Sequence, residues 1–146
     1  MNKDFKEFIQ SLNDNKVKYL VVGGYAVAFH GYPRYTKDLD IWIWINESNI
    51  QKLLKAITDF GFEDLNLKAE DFLDRESVVQ LGYPPNRIDL IGELIGVDFE
   101  TCYENMVKIT IDNVEMNFID LENLVKNKKA LGRHQDLADL ENLQQL

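Results

Sequence analysis

The chain has 146 residues, 45% of them hydrophobic, and a formal net charge of −9. That is enough apolar content for one packed domain, and too acidic for sequence-independent binding of duplex DNA, which needs a basic surface. No apolar run reaches the roughly 18 residues that cross a bilayer, and the charged opening residues 1–8 do not resemble a signal peptide, so a cytoplasmic protein without a membrane partner is expected.

In chain order, residues 4–14 place Phe5, Phe8, Ile9 and Leu12 at helical spacing. Residues 17–22 are rich in β-branched side chains and run into Gly23-Gly24, which predicts a buried strand followed by a turn into a helix over residues 25–30. A loop with Pro33 and Arg34 follows. Residues 38–45 alternate: Leu39, Ile41, Ile43 and Ile45 face one side, and Asp38, Asp40, Trp42 and Trp44 the other. Residues 46–60 carry Ile50, Leu53, Leu54 and Ile57 as the apolar stripe of a helix that Gly61 stops.

Beyond Gly61, a short helix is expected from Ala69. Residues 77–81 and 87–91 read as two strands joined by a turn at residues 83–86, and residues 99–105 suit a helix. Residues 107–111 and 114–118 flank Asp112-Asn113, a hairpin whose turn favours positive φ at Asn113. Asp120 caps a helix with Leu121, Leu124 and Val125 inward, and a last helix spans about residues 135–143. The order of elements implies an α+β (mixed α/β) fold: one domain over residues 1–146, with a core at about 17–119 and C-terminal helices at about 120–146.

Cys102 is the one cysteine, and His30 and His134 are the two histidines. An internal disulfide, a cysteine zinc site and a histidine-rich metal site are therefore excluded. Any metal must sit on oxygen ligands, which suits Mg²⁺ or Mn²⁺. Asp38 and Asp40, two apart on a strand, project from one face; side by side they repel unless a cation joins them, though the same pair also suits a solvated strand entrance. Gly23-Gly24 lets backbone approach a phosphate at a helix start, or simply makes a tight turn. Arg34, Thr36 and Lys37 lie between, where a basic group and a hydroxyl suit a phosphate or ribose, or plain solvent. Asp89 sits mid-strand, a disfavoured place for an acid unless it shares a metal or pairs with Arg87 or a lysine. Lys126, Lys128, Lys129, Arg133 and His134 form the one basic concentration; it could face a triphosphate or be an ordinary charged helix surface.

Taken in order, Val21-Val22-Gly23-Gly24, then Arg34-x-Thr36-x-Asp38-Leu39-Asp40-Ile41-Trp42, then Arg87-Ile88-Asp89-Leu90-Ile91 resembles the DNA polymerase beta-like nucleotidyltransferase superfamily. The spacing is most similar to AbiEii-type and related stand-alone bacterial proteins, many of them from toxin–antitoxin or phage-defence systems. The resemblance implies a small mixed sheet with helices mainly on one face, and Mg²⁺ or Mn²⁺ held by Asp38, Asp40 and Asp89. It makes those three acids the catalytic set, with Asp89 helping to activate the attacking hydroxyl. It assigns a nucleoside triphosphate to Gly23, Gly24, Arg34, Thr36, Lys129 and Arg133, with Asp136 in the same C-terminal motif. Two positions depart from the pattern. Gly24 stands where many members have serine, so backbone N–H groups would have to serve the phosphate. Gln135 stands where a lysine often precedes the aspartate.

The implied reaction is transfer of a nucleoside monophosphate to a hydroxyl on an RNA end, a protein or a small molecule. No acceptor-binding domain is evident, so a protein partner would supply or be the acceptor. Two rivals stand beside it. One is a protein that keeps the fold and binds nucleotide without transferring it. The other is an antitoxin-like interaction protein whose acidic surface meets a basic partner, with Trp42 and Trp44 as an aromatic interface or as core.

Overall fold

The computed structural model describes every residue except 32, 34, 35, 37, 63, 64, 84 and 144–146. Its elements run α1 (Lys3–Asp14), β1 (Tyr19–Val22), α2 (Gly23–Phe29), β2 (Leu39–Ile43), α3 (Glu47–Phe60), α4 (Glu70–Leu73), β3 (Val78–Leu81), β4 (Ile88–Ile91), α5 (Phe99–Glu104), β5 (Val107–Ile111), β6 (Val114–Phe118), α6 (Leu121–Leu131) and α7 (His134–Asn142). The fold is mixed α/β. Six strands make one sheet in the order β3-β4-β2-β1-β6-β5.

The two central strands, β1 and β2, are antiparallel, and each has a parallel neighbour outside it: β4 beside β2 and β6 beside β1. The outer pairs, β3 with β4 and β5 with β6, are antiparallel. All four residues of β1 are buried, as expected of a central strand covered on both faces, which reads as an apolar run rather than an alternation. Val21 is in register with Ile41 on one side and Phe118 on the other, so these three share a face. Phe29 of α2 stacks on Phe118 at 4.5 Å, and Phe5 of α1 meets Tyr25 of α2 edge-on at 5.8 Å. On the opposite face, Trp42 of β2 stands edge-on to Phe99 of α5 at 5.1 Å. Asp40 precedes Trp42 by two residues and shares that face.

Local signals account for most element ends. The side chains of Asn2, Asn46, Asp98 and Asp120 each accept a hydrogen bond from a backbone N–H of the first turn that follows. Gly61 ends α3 with φ of 119°, which a side chain would resist. In the hairpin, Asp112 joins Asn113 at positive φ, 50° and 67°, so both residues of the turn are left-handed. One strand is shorter than its alternation suggests. β2 stops at Ile43, although the Trp44 N–H still donates to the Lys18 carbonyl at 3.3 Å, because Asn46 already caps α3. Cys102 is fully buried and burial pushes its thiol up to about 12, so it is a packing group. Among the described residues, no helix is long and apolar enough to cross a membrane.

Candidate active site

Register brings the acids together. Asp40 lies opposite Val22 on β1 and opposite Asp89 on β4, so Asp40 and Asp89 stand side by side on the same face of neighbouring strands. Asp38, two residues before Asp40, joins them at the start of β2. Gly23 follows Val22 immediately, with φ of 66°. A Cβ at Gly23 would collide with the Asp40 carboxylate, its nearest neighbour being Oδ2. Glycine is therefore required there twice over, for the left-handed backbone and for the room it leaves to Asp40.

The electrostatics of the cluster are uneven. Burial first, and then the charges of Asp89 and Asp38, push Asp40 up to about 7, while Lys128 pulls weakly the other way. Arg87 is the cation that ties the remaining acids. Its Nη2 lies 2.7 Å from Asp38 Oδ2, and its Nε and Nη2 lie 2.9 and 3.1 Å from the two oxygens of Asp89. The other Asp38 oxygen, Oδ1, is buried with no hydrogen-bond partner among the described residues. Of the two reasons for a mid-strand Asp89, pairing with Arg87 is present.

By chemistry the donor set suits a hard divalent ion: three carboxylates, one buried oxygen lacking a hydrogen-bond partner among the described residues, and an Asp40 raised by burial and then by its two acidic neighbours. As they stand, no three His, Cys, Asp or Glu side chains among the described residues are gathered closely enough to hold a metal. The bridging position between Asp38 and Asp89 is taken by the Arg87 guanidinium.

The other sequence-predicted residues fall at different distances from this centre. Gly24 is buried in the first turn of α2. Thr36 is half-buried and its hydroxyl donates to the Asp38 carbonyl at 3.3 Å, so it braces the strand entrance. Arg34 and Lys37 lie outside the described residues. Lys129 is exposed on α6, whereas its neighbour Lys128 is turned inward, 7% exposed, with Nζ 3.2 Å from Asp136 and 3.1 Å from Asp139. Both of those aspartates are fully buried. Arg133 precedes α7, and its Nε lies 2.7 Å from Asp136. Burial alone would raise Asp136, but hydrogen bonds from Arg133 and Lys128 outweigh it and hold the carboxyl below its usual range. Arg133 and Lys128 also interact electrostatically with Asp40. Gln135 donates to Asp139 at 3.0 Å.

Sequence reasoning passed over Arg87 and Lys128 as principals. Each had a signal. Arg87 is two residues before Asp89 on a strand, hence on the same face. Lys128 continues the inward stripe of Leu121, Leu124 and Val125, where a lysine needs acidic partners. Of the two tryptophans, Trp42 is a packing group. Trp42 is 2% exposed and donates from Nε1 to the Gly92 carbonyl at 3.4 Å. Trp44 is half-buried, with the Lys18 ammonium 4.7 Å above its ring.

A glycine turn beside paired aspartates, with a third acid on the adjoining strand of a mixed sheet, is the arrangement that the resemblance to nucleotidyltransferases implies. The chain belongs to the family described as "Nucleotidyltransferase of unknown function (DUF6036)", whose model matches residues 2–145. Two crystal structures share the fold. One is a candidate nucleotidyltransferase of Thermotoga maritima, with 15% identity, a TM-score of 0.61, and 94% of this chain and 88% of that one covered. The other is an antigenic nucleotidyltransferase-like protein of Paracoccidioides brasiliensis, with 14% identity, a TM-score of 0.56, and coverage of 99% and 76%. No curated protein matches the sequence.

Proposed function

We propose that the chain is a metal-dependent nucleotidyltransferase, moving a nucleoside monophosphate from a nucleoside triphosphate to a hydroxyl. The observation that carries this reading is the convergence of Asp38, Asp40 and Asp89 at the end of the Gly23 turn, with Asp40 pushed up to about 7 by burial and by the charges of Asp89 and Asp38. Asp38, Asp40 and Asp89 would hold Mg²⁺ or Mn²⁺, which when bound neutralises the triphosphate and polarises the α-phosphate.

The remaining work falls to the chain. A carboxylate oxygen of Asp89 takes the proton of the acceptor hydroxyl. The acceptor oxygen bonds to the α-phosphorus as the bond to pyrophosphate breaks, and pyrophosphate leaves with that electron pair. Backbone N–H groups of Gly23 and Gly24, the Thr36 hydroxyl, and the cations Arg34, Lys129 and Arg133 would meet the triphosphate. Arg34 enters on its place in the sequence alone. The finer reading is an AbiEii-type enzyme of a toxin–antitoxin or phage-defence system, cytoplasmic, acting on an RNA end, a protein or a small molecule. The motif spacing supports it, and a partner chain would then supply the acceptor.

The test is incubation of the protein and Mg²⁺ with each α-labelled triphosphate and a cell lysate, followed by separation of RNA, protein and small molecules. Label should appear in one fraction with the native chain and vanish with Asp40→Asn at unchanged circular dichroism. Label that survives Asp40→Asn removes Asp40 from the reaction.

One observation favours a second reading, nucleotide binding without transfer. Arg87 engages Asp38 and both oxygens of Asp89, which blunts Asp89 as a proton acceptor. Triphosphate binding with no labelled fraction under any condition would select this reading.

A further inference from the structure

Arg87 makes more contacts to the acid cluster than any other described side chain, and it makes them on the atoms a divalent ion would need. From just before β4 it reaches forward two residues to embrace Asp89 with two N–H groups, and crosses to the residue before β2 to reach Asp38 with Nη2. A strand alternation that puts Arg87 and Asp89 on one face makes this fork available from the backbone alone. The guanidinium is partly open, with 27% of its side chain exposed, so solvent can receive it. Asp40, which it does not touch, is the acid pushed up to about 7. Asp38 Oδ1, buried and without a hydrogen-bond partner among the described residues, is on a carboxylate whose other oxygen is held by Arg87.

We propose that Arg87 is a resident counter-cation: it closes the carboxylate site in the metal-free chain and competes with a divalent ion for Asp38 and Asp89. The proposal rests on the reading above that these acids take such an ion. Each carboxylate oxygen has a limited set of lone-pair directions, and a +2 ion and a +1 guanidinium on the same oxygens repel strongly in a half-buried site. On this proposal the ion binds as Arg87 leaves those oxygens. Arg87 is a positioning residue here: it acts by withholding the acids from the ion.

The test is calorimetric titration of Mn²⁺ alone into the full chain at pH 8, for the native protein, Arg87→Gln and Arg87→Lys. Arg87→Gln should bind Mn²⁺ about tenfold tighter or more, since a full positive charge has left a shared carboxylate site, and Arg87→Lys should fall between, since an ammonium cannot bridge the same three oxygens. Equal or weaker binding by Arg87→Gln overturns the proposal and leaves the metal reading standing. Absence of Mn²⁺ binding by all three chains, with and without ATP, overturns both.

A second measurement needs only the native chain and covers the case in which Arg87→Gln fails to fold. The Arg87 Nε–H resonance, assigned by its loss in Arg87→Lys, should move toward the position of a solvent-exposed arginine as Mg²⁺ is added. If the backbone resonances of Asp40 and Asp89 shift while that signal stays fixed, Arg87 remains on its acids and the proposal fails.

Discussion

Asp136 and Asp139 share Lys128 and Arg133, two negative charges against two positive, with both carboxylates fully buried. Asp38 and Asp89 share Arg87, which leaves Asp40 without an ion-pair partner among the described residues, and Asp38 and Asp40 remain partly open while Asp89 is buried. The consequences run in opposite directions. Hydrogen bonds hold Asp136 below the usual carboxylate range despite its burial, whereas Asp40 is pushed up to about 7. A balanced cluster locks α6 to α7 and needs nothing more. An unbalanced one is unstable as it stands and gains from any added cation.

The sharpest way to break this contrast is to unbalance the helical cluster. Lys128→Met removes the ammonium that two buried aspartates share and should cost about 3–5 kcal/mol of stability by urea unfolding at pH 7. Lys129→Met, one residue along on the exposed side of α6, should stay within about 0.5 kcal/mol. Equal losses would mean that the inward lysine does not hold the cluster.

The opposite result is expected at the strand cluster. Asp40 in the folded chain keeps its proton up to about pH 7, while the unfolded chain releases it near pH 4. Between those values the folded state binds more protons, so its stability falls as pH rises through the window. Asp40→Asn removes that fall. In EDTA it should stabilise the chain by about 2–4 kcal/mol at pH 8 and by almost nothing at pH 4, read from urea curves at both pH values. A destabilised variant at pH 8 would mean that Asp40 is satisfied as it stands.

A smaller effect comes from the turn that seats Asp40. Gly23→Ala must adopt φ of 66° and displace the carboxylate above it, and should cost about 1–3 kcal/mol by thermal or urea unfolding. Because the added Cβ meets the Asp40 side chain itself, Asp40→Asn in the same background should show a gain at pH 8 different from its gain in the native chain.

The pattern of elements was readable from periodicity because each signal is local. Phe5, Phe8, Ile9 and Leu12 mark α1 by spacing alone, and Asp112-Asn113 marks its hairpin by turn chemistry. The order of strands was not readable, because pairing β2 in parallel with β4 depends on contacts nearly 50 residues apart. That pairing is what sets Asp40 beside Asp89. Arg87 and Lys128 were visible as residues but not as principals, since a cation's role depends on which acids the fold delivers to it. The basic run at residues 126–134 gave the charge, yet only the helix phase tells Lys128, which turns inward, from Lys129, which faces solvent.

The central claim is that the unbalanced cluster is a cation and triphosphate site. It is tested most directly by calorimetric titration of each of the four nucleoside triphosphates into the native chain and Asp40→Asn, with Mg²⁺ and again with EDTA. Binding of at least one triphosphate by the native chain, dependent on Mg²⁺ and lost in Asp40→Asn, is the expected result. No binding at millimolar concentration, or binding that is indifferent to both Mg²⁺ and Asp40, would contradict it.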